Sequence, residues 1–180
     1  MREMAKRVIK GKLSSKGVQS IIDQLQDYKQ DLHRKTELLC QRLAETGLNV
    51  AQAAVGESPL GKTITLQIQM ETRADGCKAM LIAVGQTKAN DYGTVNTLLL
   101  VEFGAGIRYN HTGNPKAPEF GMGVGTFPDQ KWAFNEDGWW YLGDDDEWHH
   151  SYGVKATMPM YNASVAIRQQ IAAITKEVFG

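Results

Sequence analysis

Apolar residues recur at Val18, Ile21, Ile22, Leu25, Tyr28, Leu32, Leu38, Leu39, Leu43, Val50 and Ala54, while Asp23, Gln26, Asp27, Lys29, Gln30, Lys35 and Glu37 fall on the opposite side. This spacing predicts one long amphipathic helix over 18–54, roughly 55 Å from end to end if unbroken. Gly47 is expected to bend or break it and Gly56 to end it. The stripe follows a period of about 3.6 rather than a strict 3.5, which favours packing on the protein's own sheet over a coiled-coil arm. Residues 1–16 are a charged N-terminal lead, expected to be a poorly ordered arm or one short strand around Arg7-Val8-Ile9.

The period then switches from helix to strand. Thr63 to Met70 alternates strictly, with Ile64, Leu66, Ile68 and Met70 on one face. Asp75-Gly76 is a two-residue hairpin signal, and Cys77 to Val84 is the returning strand. Gly85 to Gly93 is polar and reads as a loop. The run Leu98-Leu99-Leu100-Val101-Glu102-Phe103 is apolar on both sides at first and reads as a third, central strand.

Residues 104–153 have another texture, with all four tryptophans, three of the five prolines and no helical period. Lys131 to Phe134 and Trp139 to Leu142 are expected to pair as a hairpin through Asn135-Glu136-Asp137-Gly138. The whole segment reads as a long insertion into a single domain over 17–180, and a loop of such length tends to be functional. Pro159 suits the first turn of a C-terminal helix, whose stripe is Met160, Ala163, Ile167, Ile171, Ile174 and Val178. The fold class is therefore α+β: a mixed or antiparallel sheet packed against a long N-terminal helix and a C-terminal helix, with an aromatic-rich insertion.

Composition narrows the functional classes. Lys+Arg and Asp+Glu are 20 each among 180 residues, so the formal charge is zero. Phosphate neutralisation dominates nucleic-acid affinity and calls for a basic excess that this chain lacks. A neutral surface also gives little protection against self-association. Two cysteines make no disulfide framework and fit reduced thiols in a cytoplasmic product. No signal peptide and no run long enough for a membrane span are read.

Few side chains suggest catalysis. Asp144-Asp145-Asp146-Glu147-Trp148-His149-His150 puts carboxylates beside imidazoles, and His111 is a possible third nitrogen donor. Adjacent histidines on a strand face opposite ways, however, and no metalloenzyme spacing is present. Gly121 to Thr126 lacks the strand, the helix and the Gly-Lys-Ser/Thr ending of a phosphate loop. No metal and no cofactor are expected. The tryptophans (Trp132, Trp139, Trp140, Trp148), with Tyr141, sit among acidic residues, which disfavours base stacking and favours a protein contact or a local core.

Four segments, taken in order, carry a resemblance. They are the helix with Leu25, Tyr28, Leu38, Leu43, Ala44 and Gly47; Val101-Glu102-Phe103-Gly104-Ala105-Gly106-Ile107; Gly125-Thr126-Phe127-Pro128 leading to Gly138-Trp139-Trp140-Tyr141; and Ser151-Tyr152-Gly153 through Pro159-Met160-Tyr161-Asn162-Ala163. Together they resemble the head–tail joining proteins (neck, tail-completion or minor capsid proteins) of long-tailed double-stranded DNA bacteriophages and prophages. The resemblance spans residues 10–180.

It implies a non-enzymatic virion subunit at the head–tail junction, made in the host cytoplasm and assembled as a ring, typically sixfold. Its partners would be its own copies, the adjacent neck or portal-side ring, and the tail tube or terminator protein, with no sequence-specific nucleic acid and no membrane. A tail terminator of the same architecture is the alternative. In this reading Glu102, Phe103, Gly104 and Gly106 shape a turn. The segment 104–153 is longer and richer in tryptophan than in a minimal member of the family. The competing classes are a metal-dependent hydrolase built on Asp144, Asp146, His149 and His150, and an accessory factor that binds a host protein.

Overall fold

The computed structural model describes residues 9–90, 93–106, 108, 114–120, 122, 135–143 and 145–180. The architecture is α+β. Helix α1 (Ser15–Gly56) leads into the antiparallel strands β1 (Ile64–Arg73) and β2 (Gly76–Gly85). A second antiparallel pair, β3 (Thr87–Asn90) and β4 (Gly93–Asn96), runs into the short helix α2 (Thr97–Phe103). A third pair, β5 (Trp139–Leu142) and β6 (Trp148–Ser151), precedes the C-terminal helix α3 (Pro159–Phe179). Among the described residues the strands form three separate two-stranded ribbons rather than one sheet. Of the strand expected at Arg7-Val8-Ile9, only Ile9 is described, and it belongs to no element.

The sides of α1 and the first ribbon follow their sequence patterns. Ser14 caps α1 by accepting a hydrogen bond from the Gly17 amide at 3.1 Å. Arg73 pairs with Gly76, so the tight turn is Ala74-Asp75 and Gly76 already belongs to β2. Ile64, Leu66 and Ile68 are half-buried between exposed Thr65, Gln67 and Gln69, whereas Met70 is exposed. The polar stretch expected to be a loop carries the β3–β4 ribbon instead. Its ends are tied in by the Gln86 amide donating to the Thr63 carbonyl and the Thr97 amide donating to the Gln86 carbonyl.

Helix α1 is not broken at Gly47, which is buried in its middle. A Cβ there would lie 2.6 Å from Ile167 Cδ1 and 3.3 Å from Leu81 Cδ2. Gly47 is the point where α3 and β2 come closest to α1. The cost of glycine in a helix is accepted for close packing. Helix α3 runs antiparallel to α1, since Arg42 bonds Glu177 at 2.9 Å while Gly47 faces Ile167.

The first hairpin and α3 are both shorter than α1. Its 42 residues span roughly 63 Å. The 21 residues of α3 span about 32 Å, and each ten-residue strand of the hairpin about 33 Å. The Thr72–Glu37 hydrogen bond (2.9 Å) marks the hairpin end, and Arg42–Glu177 the end of α3. All the buried residues of α1 (Ala44, Gly47, Ala51, Ala54 and Val55) lie beyond these points. The expectation that the whole stripe lies on the sheet is therefore corrected: Val18, Ile22, Leu25, Leu32 and Leu38 are exposed.

The larger correction concerns residues 98–103, which are helical. Asn96 caps α2, its side chain accepting from the Leu98 amide at 2.9 Å. A short apolar run has the same pattern in a buried strand and in a buried helix; here the cap and the surrounding core select the helix. Leu100 and Phe103 pack with Ala105, Ala117 and Met122, against Leu60, Leu99 and Val154. Phe103 also meets Phe120, with ring centroids 5.3 Å apart.

Gly47→Leu is expected to destabilise the fold by about 1–3 kcal/mol through overpacking. Combined with Ile167→Ala it should cost less than the sum of the two single changes, because both act on one contact. Denaturant unfolding of the four chains measures this.

Candidate functional site

Met158 precedes α3 in the left-handed region (φ 52°) and offers no side-chain cap. The first amides of α3 are satisfied from elsewhere. Glu102, near the end of α2 and 6% exposed, accepts from the Met160 amide at Oε2 (2.8 Å) and from the Tyr161 amide at Oε1 (2.9 Å). Oε1 also accepts from buried Asn114 Nδ2 at 2.8 Å. A carboxylate at a helix N-terminus is favoured by both the free amides and the helix dipole. Burial pushes the Glu102 carboxyl above the usual range, against the hydrogen bonds from Met160, Tyr161 and Asn114, which pull it down.

The same two segments are joined by backbone. Val101 O accepts from the Thr157 and Met158 amides at 2.9 and 3.3 Å, and Ala105 and Val154 exchange hydrogen bonds at 2.8 and 2.9 Å. The crossing is tight: Gly106 (φ 85°) and Gly153 (φ 110°) adopt left-handed conformations, and a Cβ on Gly153 would collide with Ala105 O. Gly104 (φ 78°) turns the chain out of α2. Glu102, Phe103, Gly104 and Gly106 thus form one half of a clasp whose other half is Gly153–Tyr161.

The clasp leads directly into the aromatic ribbon. Strand β5 pairs with β6, with Trp140 opposite His150 and Tyr141 opposite His149. Residues 131–134, the partner expected from sequence, lie outside the described residues, as do Trp132, His111, Asp144 and the motif 125–128. Alternation puts Trp140, Trp148 and His150 on one face of the ribbon. On that face the rings run in a row: Trp140 to His150 at 4.8 Å, His150 edge-on to Tyr152 at 4.5 Å, and the Arg108 guanidinium 4.1 Å above Tyr152. Trp140 is 64% exposed and Trp148 67%. Tyr141 is also exposed, on the other face and stacked on His149, and Trp139 is half-buried.

The arrangement presents a surface of exposed rings. His149 Nε2 lies 2.9 and 3.0 Å from the two oxygens of Asp145, which itself accepts from the Glu147 amide. His149 first, then that amide, hold the Asp145 carboxyl below the usual range. His149 and His150 face opposite sides of β6. Among the described residues no three His, Cys, Asp or Glu side chains are grouped to hold a metal ion. An open cleft of about 540 Å³ lies between the end of α1 and the start of β1, and among the described residues Lys62 is the one ionisable residue lining it. Sequence reasoning missed the trans cap by Glu102 and Asn114, the row through His150, Tyr152 and Arg108, and the approach of Cys40, whose Sγ lies 3.4 Å from Cys77 O. None of these contacts has a local signal.

No protein-family model, curated protein or solved structure matches the chain. Among the described residues no helix is long and apolar enough to cross a membrane.

Glu102→Ala should cost at least about 2 kcal/mol, since two helix amides and the Asn114 amide lose their acceptor. Glu102→Gln should cost less, as its oxygen still serves one side while its NH₂ faces an amide. The raised folded pKa means that the folded chain holds this proton more tightly than the unfolded chain. The contribution to stability is thus full below the ordinary glutamate value of 4.5 and is lost as pH rises through the raised folded value. Denaturant unfolding from pH 4 to pH 8 should show this decline in the wild type and its absence in Glu102→Gln.

Proposed function

We propose that this chain is a structural subunit of the head–tail joint of a long-tailed double-stranded DNA bacteriophage or prophage, of the tail-completion or stopper type. In this reading it forms a ring with copies of itself, probed first as a hexamer. It contacts the neck or portal-side ring on one side and the tail tube or terminator protein on the other, within the virion. It carries out no reaction.

The observation that carries the reading is the clasp. Two of the segments that resemble the joining proteins meet through residues 101–106 and 153–161, which are two sides of one structural device. Glu102 in it serves as a helix cap with its oxygens engaged by backbone and amide donors. This supports an architectural role for the motif. The clasp braces a ribbon that presents Trp140 and Trp148 at 64% and 67% exposure, and exposed aromatic residues of this kind are frequent anchors of protein interfaces. Trp140, Trp148 and Tyr141 are the contact residues in this proposal, with half-buried Trp139 supporting the ribbon and Trp132 a further candidate.

Electron microscopy of particles made without this gene tests the reading. Filled heads beside separate tails of normal length are expected. Tails of uncontrolled length would assign the chain to the tail terminator instead, and fully assembled infectious particles would overturn the structural role. Complementation with Trp140→Ala, Trp148→Ala should restore at most a few per cent of the titre while the purified variant unfolds at the wild-type temperature. Full complementation by that variant would remove the ribbon from the interface.

A further inference from the structure

Helix α1 and the first hairpin meet along one line of side chains. Glu37, Cys40 and Gly47 fall three and then seven residues apart, which places them on one face of α1. Thr72 and Cys77 are paired directly across β1 and β2, and opposite residues of an antiparallel pair point to the same side. Thr72 Oγ1 donates to Glu37 Oε1 at 2.9 Å, so that side faces α1. Leu81, four residues after Cys77, lies on the same side of β2 and reaches Gly47, where a Cβ would lie 3.3 Å from its Cδ2. The two rises agree: Cys77 to Leu81 is about 13 Å of strand, and Cys40 to Gly47 about 10 Å of helix. Cys77 is thereby set against Cys40, whose thiol donates to the Cys77 carbonyl at 3.4 Å. Burial first, then the neighbouring Cys40 thiol and Glu37, push the Cys77 thiol above its usual range. Both thiols are free and half-buried.

We propose that Cys40 and Cys77 are a redox-active dithiol, which a small-molecule disulfide such as oxidised glutathione converts into one intramolecular disulfide that staples the turn end of the hairpin to α1. A disulfide requires side chains that already face each other, and the register of β2 on α1 supplies this. Cys40 and Cys77 are the two cysteines of the chain, so no other pairing within it competes. The exchange balances in two steps. The thiolate of one cysteine attacks a sulfur of oxidised glutathione and expels one glutathione thiolate. The thiolate of the other then attacks the protein sulfur of this mixed disulfide; the Cys40–Cys77 bond forms and the second glutathione thiolate leaves. The two cysteine sulfurs give up two electrons, the glutathione disulfide takes them, and the two protein thiol protons end on the two glutathiones. The bond joins residues 37 apart in the chain, so it restricts the unfolded chain as well as fixing the hairpin. In a reducing compartment both groups stay thiols; the staple closes on transfer to an oxidising one. The proposal does not depend on the head–tail reading.

Incubation of the full, reduced chain with oxidised glutathione under native conditions tests it, read by thiol titration and by mass spectrometry of the intact chain and its peptides. Both thiols should disappear together, the chain should lose two hydrogens, and the peptides carrying Cys40 and Cys77 should be found joined. The thermal unfolding midpoint should rise by about 5–10 °C, and dithiothreitol should reverse both changes. Cys40→Ala and Cys77→Ala should each end with one glutathione on the remaining cysteine and show no such rise. If either alanine variant fails to fold, Cys40→Ser or Cys77→Ser reads the same reaction. A wild type that ends with glutathione on both cysteines, or with disulfides between chains, overturns the proposal. So does a bond that forms only in denaturant, or one that leaves the unfolding midpoint unchanged or lowers it.

Discussion

The carboxylate of Glu102 closes a gap that α3 cannot close for itself. Pro159 occupies the first helical position and brings no amide hydrogen, and Met158 before it has no side chain able to accept. The next two amides would be left unpaired inside the protein, where each unpaired donor costs about 1–3 kcal/mol. Glu102 supplies both acceptors from the end of another helix. Its position is then over-determined: α2 is capped by Asn96, Phe103 and Leu100 lie in the core beside it, and Asn114 holds Oε1. Helix α3 is placed by that anchor. From it follow the antiparallel packing on α1, the close approach at Gly47 and the ladder through Ala105 and Val154 that sets where the aromatic ribbon leaves the body.

A second constraint is length. Neither the first hairpin nor α3 is long enough to cover α1, whose helical signals are good enough to run through without a break. The result is a body at one end of α1, with Val18, Ile22, Leu25 and Leu32 exposed toward the other. The long helix is the scaffold on which the other elements are assembled. The aromatic ribbon is an exposed surface. It is small, and its exposed rings lean on one another, on His150 and on Arg108 more than on the core.

The clasp and the ribbon divide the work that the sequence motif had joined. Glycines at 104, 106 and 153 are needed because the chain turns with positive φ and two backbones cross with no room for a Cβ. Glu102 is needed for its two acceptor oxygens at a helix N-terminus. The ribbon holds its strands in register and leaves Trp140 and Trp148 well exposed. Each Glu102 oxygen is committed to a backbone amide or to Asn114.

The α+β class, the long first helix, the alternation in β1, the hairpin and the start of α3 at Pro159 were legible in the sequence. Each rests on a local signal: a period of 3.6 or 2, a cap, a tight turn or a proline. The exposed tryptophan ribbon was legible as a composition, and so was the importance of 101–107 and 151–163, though not their physical link. Only tertiary structure decided that 97–103 is helical, that Gly47 is a contact and not a break, that β5 pairs with β6, and that Val18, Ile22, Leu25 and Leu32 of α1 stay exposed. A periodic pattern states which residues want to leave water. It does not state which partner is within reach, how long that partner is, or which distant carboxylate will arrive to cap a helix, because those depend on contacts between residues far apart in the chain.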